Sequence, residues 1–128
     1  FIDYFTPNET EASFYVDHPV QTHDDASKAA KILLDMGIKN VIITLGEKGA
    51  YFANSTETFS SPIANLSNPV VDTTGAGDAF NAGFAAALTE GQNIKDAIAF
   101  ASATAGLSTT KIGTANSMPS RQEIDKIL

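Results

Sequence analysis

The sequence predicts an α/β domain with a mostly parallel sheet. Segments of strand character alternate with segments of helical spacing along its 128 residues, the signature of strands joined through crossover helices. Val41–Leu45 (VIITL) is β-branched and almost continuously apolar, as expected of a strand buried on both faces of a parallel sheet. The length fits one compact domain, and 43% hydrophobic against 18% charged residues supplies an ordinary core.

Taken in order, Phe1–Phe5 reads as a short strand stopped by Thr6-Pro7-Asn8. Glu9–Val16 suits a short helix. Asp24–Met36 carries Ala26, Ala29, Ala30 and Leu33 on one face, with Asp24 or Asp25 at its start and Gly37 at its stop. Gly46–Gly49 is a turn after the apolar strand, and Ala50–Ala53 with Glu57–Phe59 reads as a hairpin or edge pair. Ser60–Asn68 is a polar loop and Pro69–Val71 a brief strand. Ala76–Thr89 places Phe80, Phe84, Ala87 and Leu88 on one helical face and ends at Gly91. Ile94–Thr109 does the same with Ile94, Ala97, Ile98, Ala101 and Ala105, and Asn93 with Asp96 resembles a cap. A loop from Lys111 to Pro119 leads into a final helix over Arg121–Leu128. His18 and His23 flank the polar connection before the second helix and read as exposed loop residues.

Composition narrows the function classes. Eight basic against 15 acidic residues give a net charge of −7, which disfavours a nucleic-acid surface. With no cysteine, disulfide scaffolds, thiolate metal sites and cysteine nucleophiles are excluded. No apolar run approaches the ~20 residues of a membrane span, so no membrane partner is expected. The chain opens at Phe1 on what reads as mid-strand, and an N-terminal portion beyond it is expected.

The chemistry concentrates in Asp72–Phe80, DTTGAGDAF. A strand ends, a small-residue turn Gly75-Ala76-Gly77 follows, and a helix begins at once. Glycines allow positive φ and close backbone approach, and the first N–H groups of a helix lack intrahelical acceptors. Together they form an anion hole fit for a transferring phosphoryl group. Asp78, in the first helical turn, can accept the proton of an attacking hydroxyl. A bare GAGD serves equally as a tight turn with an acidic helix start; the longer string is more specific. It is not a P-loop, which needs G-x-x-x-x-G-K-[ST], and Phe80 stands where a dinucleotide fingerprint needs a small residue.

DTTGAGDAF resembles the C-terminal signature of the ribokinase-like (PfkB-type) carbohydrate kinases. The likeness runs over essentially the whole chain, as the C-terminal part of a kinase about twice as long or more. It implies a three-layer αβα sandwich, of which residues 1–128 are the nucleotide-binding and catalytic part, with the sugar-binding part and lid outside this sequence. It implies that Asp78 is the catalytic base, contacting the sugar hydroxyl, and that Gly75, Ala76 and Gly77 form the anion hole. Pro7-Asn8-Glu9-Thr10-Glu11-Ala12 resembles the family's N-x-x-E motif: Asn8 would lie at the nucleotide and Glu11 at Mg²⁺, held through water. As residues alone, they make an ordinary helix start. Thr44-Leu45-Gly46-Glu47-Lys48-Gly49 is similar to the family's T-L-G-x-x-G nucleotide loop; taken alone, it is an ordinary turn. Asp72, Thr74, Ser108, Lys111, Gly113 and Ser117 match a K⁺ site built mostly of backbone carbonyls. Ser102 stands where the family often has an asparagine near adenine, and its hydroxyl is shorter.

The resemblance therefore implies an ATP-dependent sugar kinase of the cytoplasm, using Mg²⁺ and K⁺. PNETEA and DTTGAGD favour ribose over the substrates of fructokinases or nucleoside kinases. A non-catalytic nucleotide-binding module on the same fold remains the alternative of a different class. A homodimer formed through the missing lid is expected of the whole protein, and little activity of these 128 residues alone.

Overall fold

The computed structural model describes residues 3–63, 75–110 and 119–128. The chain falls into two compact units, Phe1–Pro62 and Ile63–Leu128.

The first unit holds a four-stranded sheet in the order β1 (Tyr4–Phe5), β2 (Asn40–Thr44), β3 (Ala50–Asn54), β4 (Thr58–Ser61). Helices α1 (Glu9–Val16) and α2 (His23–Asp35) form the connection from β1 to β2. That crossover makes β1 and β2 parallel. The pairings of β2 with β3 and of β3 with β4 are antiparallel. The parallel pairing expected of the sheet is thus carried, among the described residues, by β1 and β2. The other two strands are joined by connections too short for a crossover.

β2 is buried on both faces, as its apolar run requires. Val41 and Ile43, with Leu45 just beyond, pack with Ala12, Ala26, Ala29, Ala30 and Leu33. The small residues of α2 let the helix lie close on the sheet. Ile42 alternates to the other face, where it is the cross-strand partner of Phe52; Phe52 in turn stacks on Phe59 with ring centroids 4.9 Å apart.

α2 starts earlier than its aspartates suggest. Thr22 is the N-cap: Asp25 N–H donates to Thr22 Oγ1 at 3.1 Å, and the Asp25 carboxylate accepts from Thr22 N–H at 3.3 Å and Gln21 N–H at 3.0 Å. These bonds, Gln21's foremost, hold the Asp25 carboxyl below its ordinary 3.8 against the opposing effect of burial.

The second unit is a helical hairpin, α3 (Ala76–Thr89) and α4 (Ile94–Ser108), followed by α5 (Arg121–Asp125). α3 ends at Glu90 and Gly91, the latter at φ +84. Asn93 caps α4 through Asp96 N–H at 2.8 Å. The predicted Pro69–Val71 strand lies outside the described residues, and the last helix is shorter than Arg121–Leu128. α5 is tied to the hairpin by Arg121, which donates to both Glu90 oxygens at 2.6 and 2.9 Å and lies 4.8 Å from the Phe100 ring centroid. The Arg121 hydrogen bonds hold Glu90's carboxyl below its ordinary value and raise the guanidinium's pKa.

The hairpin closes where α3 has no side chain. A Cβ on Gly83 would stand 2.6 Å from Thr104 Oγ1, 2.9 Å from Thr104 Cβ and 3.2 Å from Ala101 Cα. Thr104 is buried and its hydroxyl donates to Phe100 O at 2.8 Å, so it has little room to yield. For Gly83→Ala, overpacking of about 1–3 kcal/mol should outweigh the ~1 kcal/mol gained in helix propensity. A lowered urea midpoint is expected, and an unchanged one would refute the close-packing argument.

Candidate active site

Because β1 and β2 run parallel, the chain leaves both at the same end of the sheet, the end where open α/β sheets bind ligands. Two of the sequence motifs meet there. Asn8 and Thr44 form an isolated parallel bridge, and Thr44 N–H donates to Pro7 O at 3.0 Å. A Cβ on Gly46 would lie 3.6 Å from Glu9 Oε1. The PNETEA and TLGEKG segments are therefore neighbours in the first unit.

Asn8 and Glu11 form a reciprocal capping box. Glu11 N–H donates to Asn8 Oδ1 at 2.8 Å, and Asn8 N–H donates to Glu11 Oε1 at 2.9 Å. The helix-start reading of this pair is thus realised. It leaves Glu11 exposed and its Oε2 outside the box. Among the described residues, no group of three or more histidine, cysteine or acidic residues converges on a metal site.

In the TLGEKG segment, Leu45 is buried in the core, so only its backbone can face a ligand. Gly46–Lys48 is a single 3-10 turn between Gly46 at φ +58 and Gly49 at φ +88, both in the left-handed region that favours glycine. Gly46, Glu47 and Lys48 are exposed, and Lys48 Nζ donates to Gln21 O at 2.6 Å.

The second unit carries the GAGD turn. Gly75 occupies the N-cap of α3 in the left-handed region, at φ +80, and makes no side-chain cap bond; its carbonyl accepts from Ala79 N–H at 2.9 Å. The N–H groups of Ala76, Gly77 and Asp78 precede that first helical bond. The other described α-helices each begin on a side-chain acceptor: Asn8, Thr22, Asn93 and Ser120. Gly77 does not need glycine for its backbone, and a Cβ there would meet no described atom within 4 Å. Asp78 is exposed in the first turn.

On α4, Ser102 is half-buried. Ser108 is buried and its hydroxyl donates to Ala105 O at 2.7 Å. Asp72, Thr74, Lys111, Gly113 and Ser117 lie outside the described residues.

A model of pfkB family carbohydrate kinases matches residues 1–121. The chain belongs to that family. It is 43% identical over 122 residues to a ribokinase of Haemophilus influenzae, covering 95% of this chain and 39% of that protein. A deoxyribokinase of Salmonella typhi is 37% identical over 126 residues, covering 98% of this chain and 40% of that one. The structure of Arabidopsis thaliana ribokinase complexed with ribose and ATP superposes with a TM-score of 0.91 at 38% identity, over 98% of this chain and 40% of that one. The chain spans about two fifths of the length of these relatives, and its α/β fold is the ribokinase-like one.

His18 lies in the connection between α1 and α2, as expected, but His23 does not lie in a loop. Both are half-buried. His18 Nδ1 lies 2.9 Å from Pro19 O, and His23 is the first residue of α2, its ring nitrogens 2.9 Å from Lys48 O and 3.2 Å from Ser60 Oγ. Contacts spanning 25 and 37 residues leave no local pattern. The Thr22 cap did have one, a threonine three residues before an acidic residue.

The two glycines at α3 should separate on substitution. Gly75→Ala forces a side chain into the left-handed region and should cost about 1–2 kcal/mol of stability, whereas Gly77→Ala should leave stability unchanged or slightly raised. Chemical denaturation of both variants checks this; equal losses would contradict the geometry.

Proposed function

We propose that this chain is the C-terminal, nucleotide-binding and catalytic part of an ATP-dependent sugar kinase acting on ribose, with the sugar-binding part and lid outside residues 1–128. The observation that carries the reading is the start of α3, where an uncapped helix N-terminus and an exposed aspartate stand side by side. An open helix start attracts a phosphoryl group, and the carboxylate next to it supplies the base. The kinship with ribokinases, and with the structure that holds ribose and ATP, supports both co-substrates. The deoxyribokinase relative makes deoxyribose the sugar to test beside it.

In the proposed reaction a sugar hydroxyl, the 5-hydroxyl for ribose, attacks the γ-phosphorus in line. The new O–P bond forms as the bond to the β,γ-bridging oxygen breaks, and that oxygen leaves with the electron pair as part of ADP. The hydroxyl proton passes to the Asp78 carboxylate. N–H groups of Gly75–Gly77 hold the equatorial oxygens as charge develops. Asn8, Thr44–Gly49 and Ser102 position the nucleotide.

Mg²⁺ supplies charge neutralisation on the phosphates. An exposed Glu11 with one oxygen outside its capping box fits a water-mediated role toward it. Ser108 fits K⁺ as a carbonyl ligand; Asp72, Thr74, Lys111, Gly113 and Ser117 complete the proposed set. We place the reaction in the cytoplasm and expect a dimer of the whole enzyme; among the described residues no helix is long and apolar enough to cross a membrane.

Asp78→Asn in the full-length enzyme should lower kcat by about 10²–10⁴-fold with ATP affinity retained, as read by steady-state assay and calorimetry. A normal kcat would remove Asp78 from the base role, and ATP binding without any turnover in the wild type would favour a non-catalytic module. The 128 residues alone should produce little ADP in response to ribose, and substantial ribose-dependent ADP release from them would refute the proposed division of the sugar site.

A further inference from the structure

His23 belongs to none of the family motifs, yet it is bonded to one of them. Its Nε2 lies 2.9 Å from the carbonyl oxygen of Lys48, and its Nδ1 lies 3.2 Å from Ser60 Oγ. A carbonyl only accepts, so Nε2 carries the proton and donates it to Lys48 O. In the neutral ring Nδ1 is then an acceptor, and the Ser60 hydroxyl donates to it. Ser60 thereby selects the tautomer and aims the ring.

A second bond runs the other way. Lys48 Nζ donates to Gln21 O at 2.6 Å, so residues 21–23 and Lys48 hold each other through two bonds of opposite sense. The Lys48 carbonyl belongs to the peptide that joins the 3-10 turn to Gly49. Within the turn itself, Lys48 N–H donates to Leu45 O and Gly49 N–H to Gly46 O, both at 3.1 Å. Glycines at φ +58 and +88 bound this loop, and glycine gives a loop more freedom to lose on binding. Fixing it beforehand reduces the ordering that a ligand would otherwise impose.

We propose that His23 is a positioning residue for the nucleotide: its Nε2–H, aimed by Ser60, fixes the Lys48–Gly49 peptide and so the backbone of Gly46–Gly49 on which ATP lies. The proposal rests on reading Thr44–Gly49 as the nucleotide loop. His23 is argued to act only through the loop, so its effect should fall on ATP and not on the sugar or the chemical step.

The test is steady-state kinetics of the full-length enzyme with ATP and ribose varied separately, for wild type, His23→Ala, His23→Gln and Ser60→Ala, with melting temperatures alongside. His23→Ala should raise KM for ATP about fivefold, the equivalent of one lost hydrogen bond, with kcat and KM for ribose within about twofold. His23→Gln, whose amide N–H can reach the same carbonyl, should recover most of the loss. Ser60→Ala should fall between wild type and His23→Ala.

An unchanged KM for ATP in His23→Ala overturns the proposal while leaving the kinase reading intact. A joint rise of both KM values with a lowered melting temperature overturns it as well, since that marks a merely structural residue. Failure of His23→Gln to improve on His23→Ala has the same force. A wild-type enzyme that does not bind ATP removes the nucleotide reading and this proposal together.

Discussion

The N-terminus of α3 begins on a left-handed glycine with no side chain to accept its first N–H groups. A side-chain cap is worth about 1 kcal/mol to a helix, and the other described α-helices each have one. α3 is instead held by what lies behind its first turn. Ala79, Phe80, Gly83, Phe84 and Ala87 are buried, and the contact at Gly83 fixes it against α4. The packing supplies the stability that the missing cap would have contributed, so the helix can begin without a side-chain acceptor. Gly75 and Gly77 differ: the backbone requires the first to be glycine, whereas a Cβ on the second would meet no described atom within 4 Å.

In the first unit one pair of residues carries a structural task that is compatible with its proposed functional one. Asn8 and Glu11 cap α1, an ordinary structural task, and the same cap fixes where their remaining polar atoms stand. The Asn8–Thr44 bridge then sets that helix start beside the TLGEKG loop. Parallel pairing of β1 and β2 is the condition for this. An antiparallel pair would send the two motifs to opposite ends of the sheet.

Most element boundaries were legible because their signals are local. α1 spans Glu9–Val16 and α3 spans Ala76–Thr89, as their spacing and terminal residues predict. The core stripe of α2 is also as predicted. Its start was missed because two aspartates compete with Thr22 for the cap, and only the reciprocal bonds distinguish N-cap from third helical residue. The GAGD turn is legible as a motif, but the difference between its two glycines is not, since it depends on the φ of Gly75 and on the described surroundings of Gly77. The bonds of His23 leave no trace in the sequence because its partners, Lys48 and Ser60, are distant in it.

The distribution of cations sharpens the chemistry. With a net charge of −7, the chain is an unpromising host for a polyphosphate if side chains must neutralise it. Three of its basic residues are drawn into structural bonds: Lys39 with Asp3 at 3.5 Å, Lys48 with Gln21 O, and Arg121 with Glu90. At the start of α3 the described residues offer backbone dipoles, which attract a phosphate without side-chain charge. A lysine there would stabilise the Asp78 carboxylate and weaken it as a base. In the proposed reaction the N–H groups at the phosphoryl oxygens and Mg²⁺ bound with the nucleotide would carry the neutralisation. An acidic chain that meets phosphate through backbone dipoles depends on cations bound with the nucleotide, which is the part proposed for Mg²⁺ and K⁺.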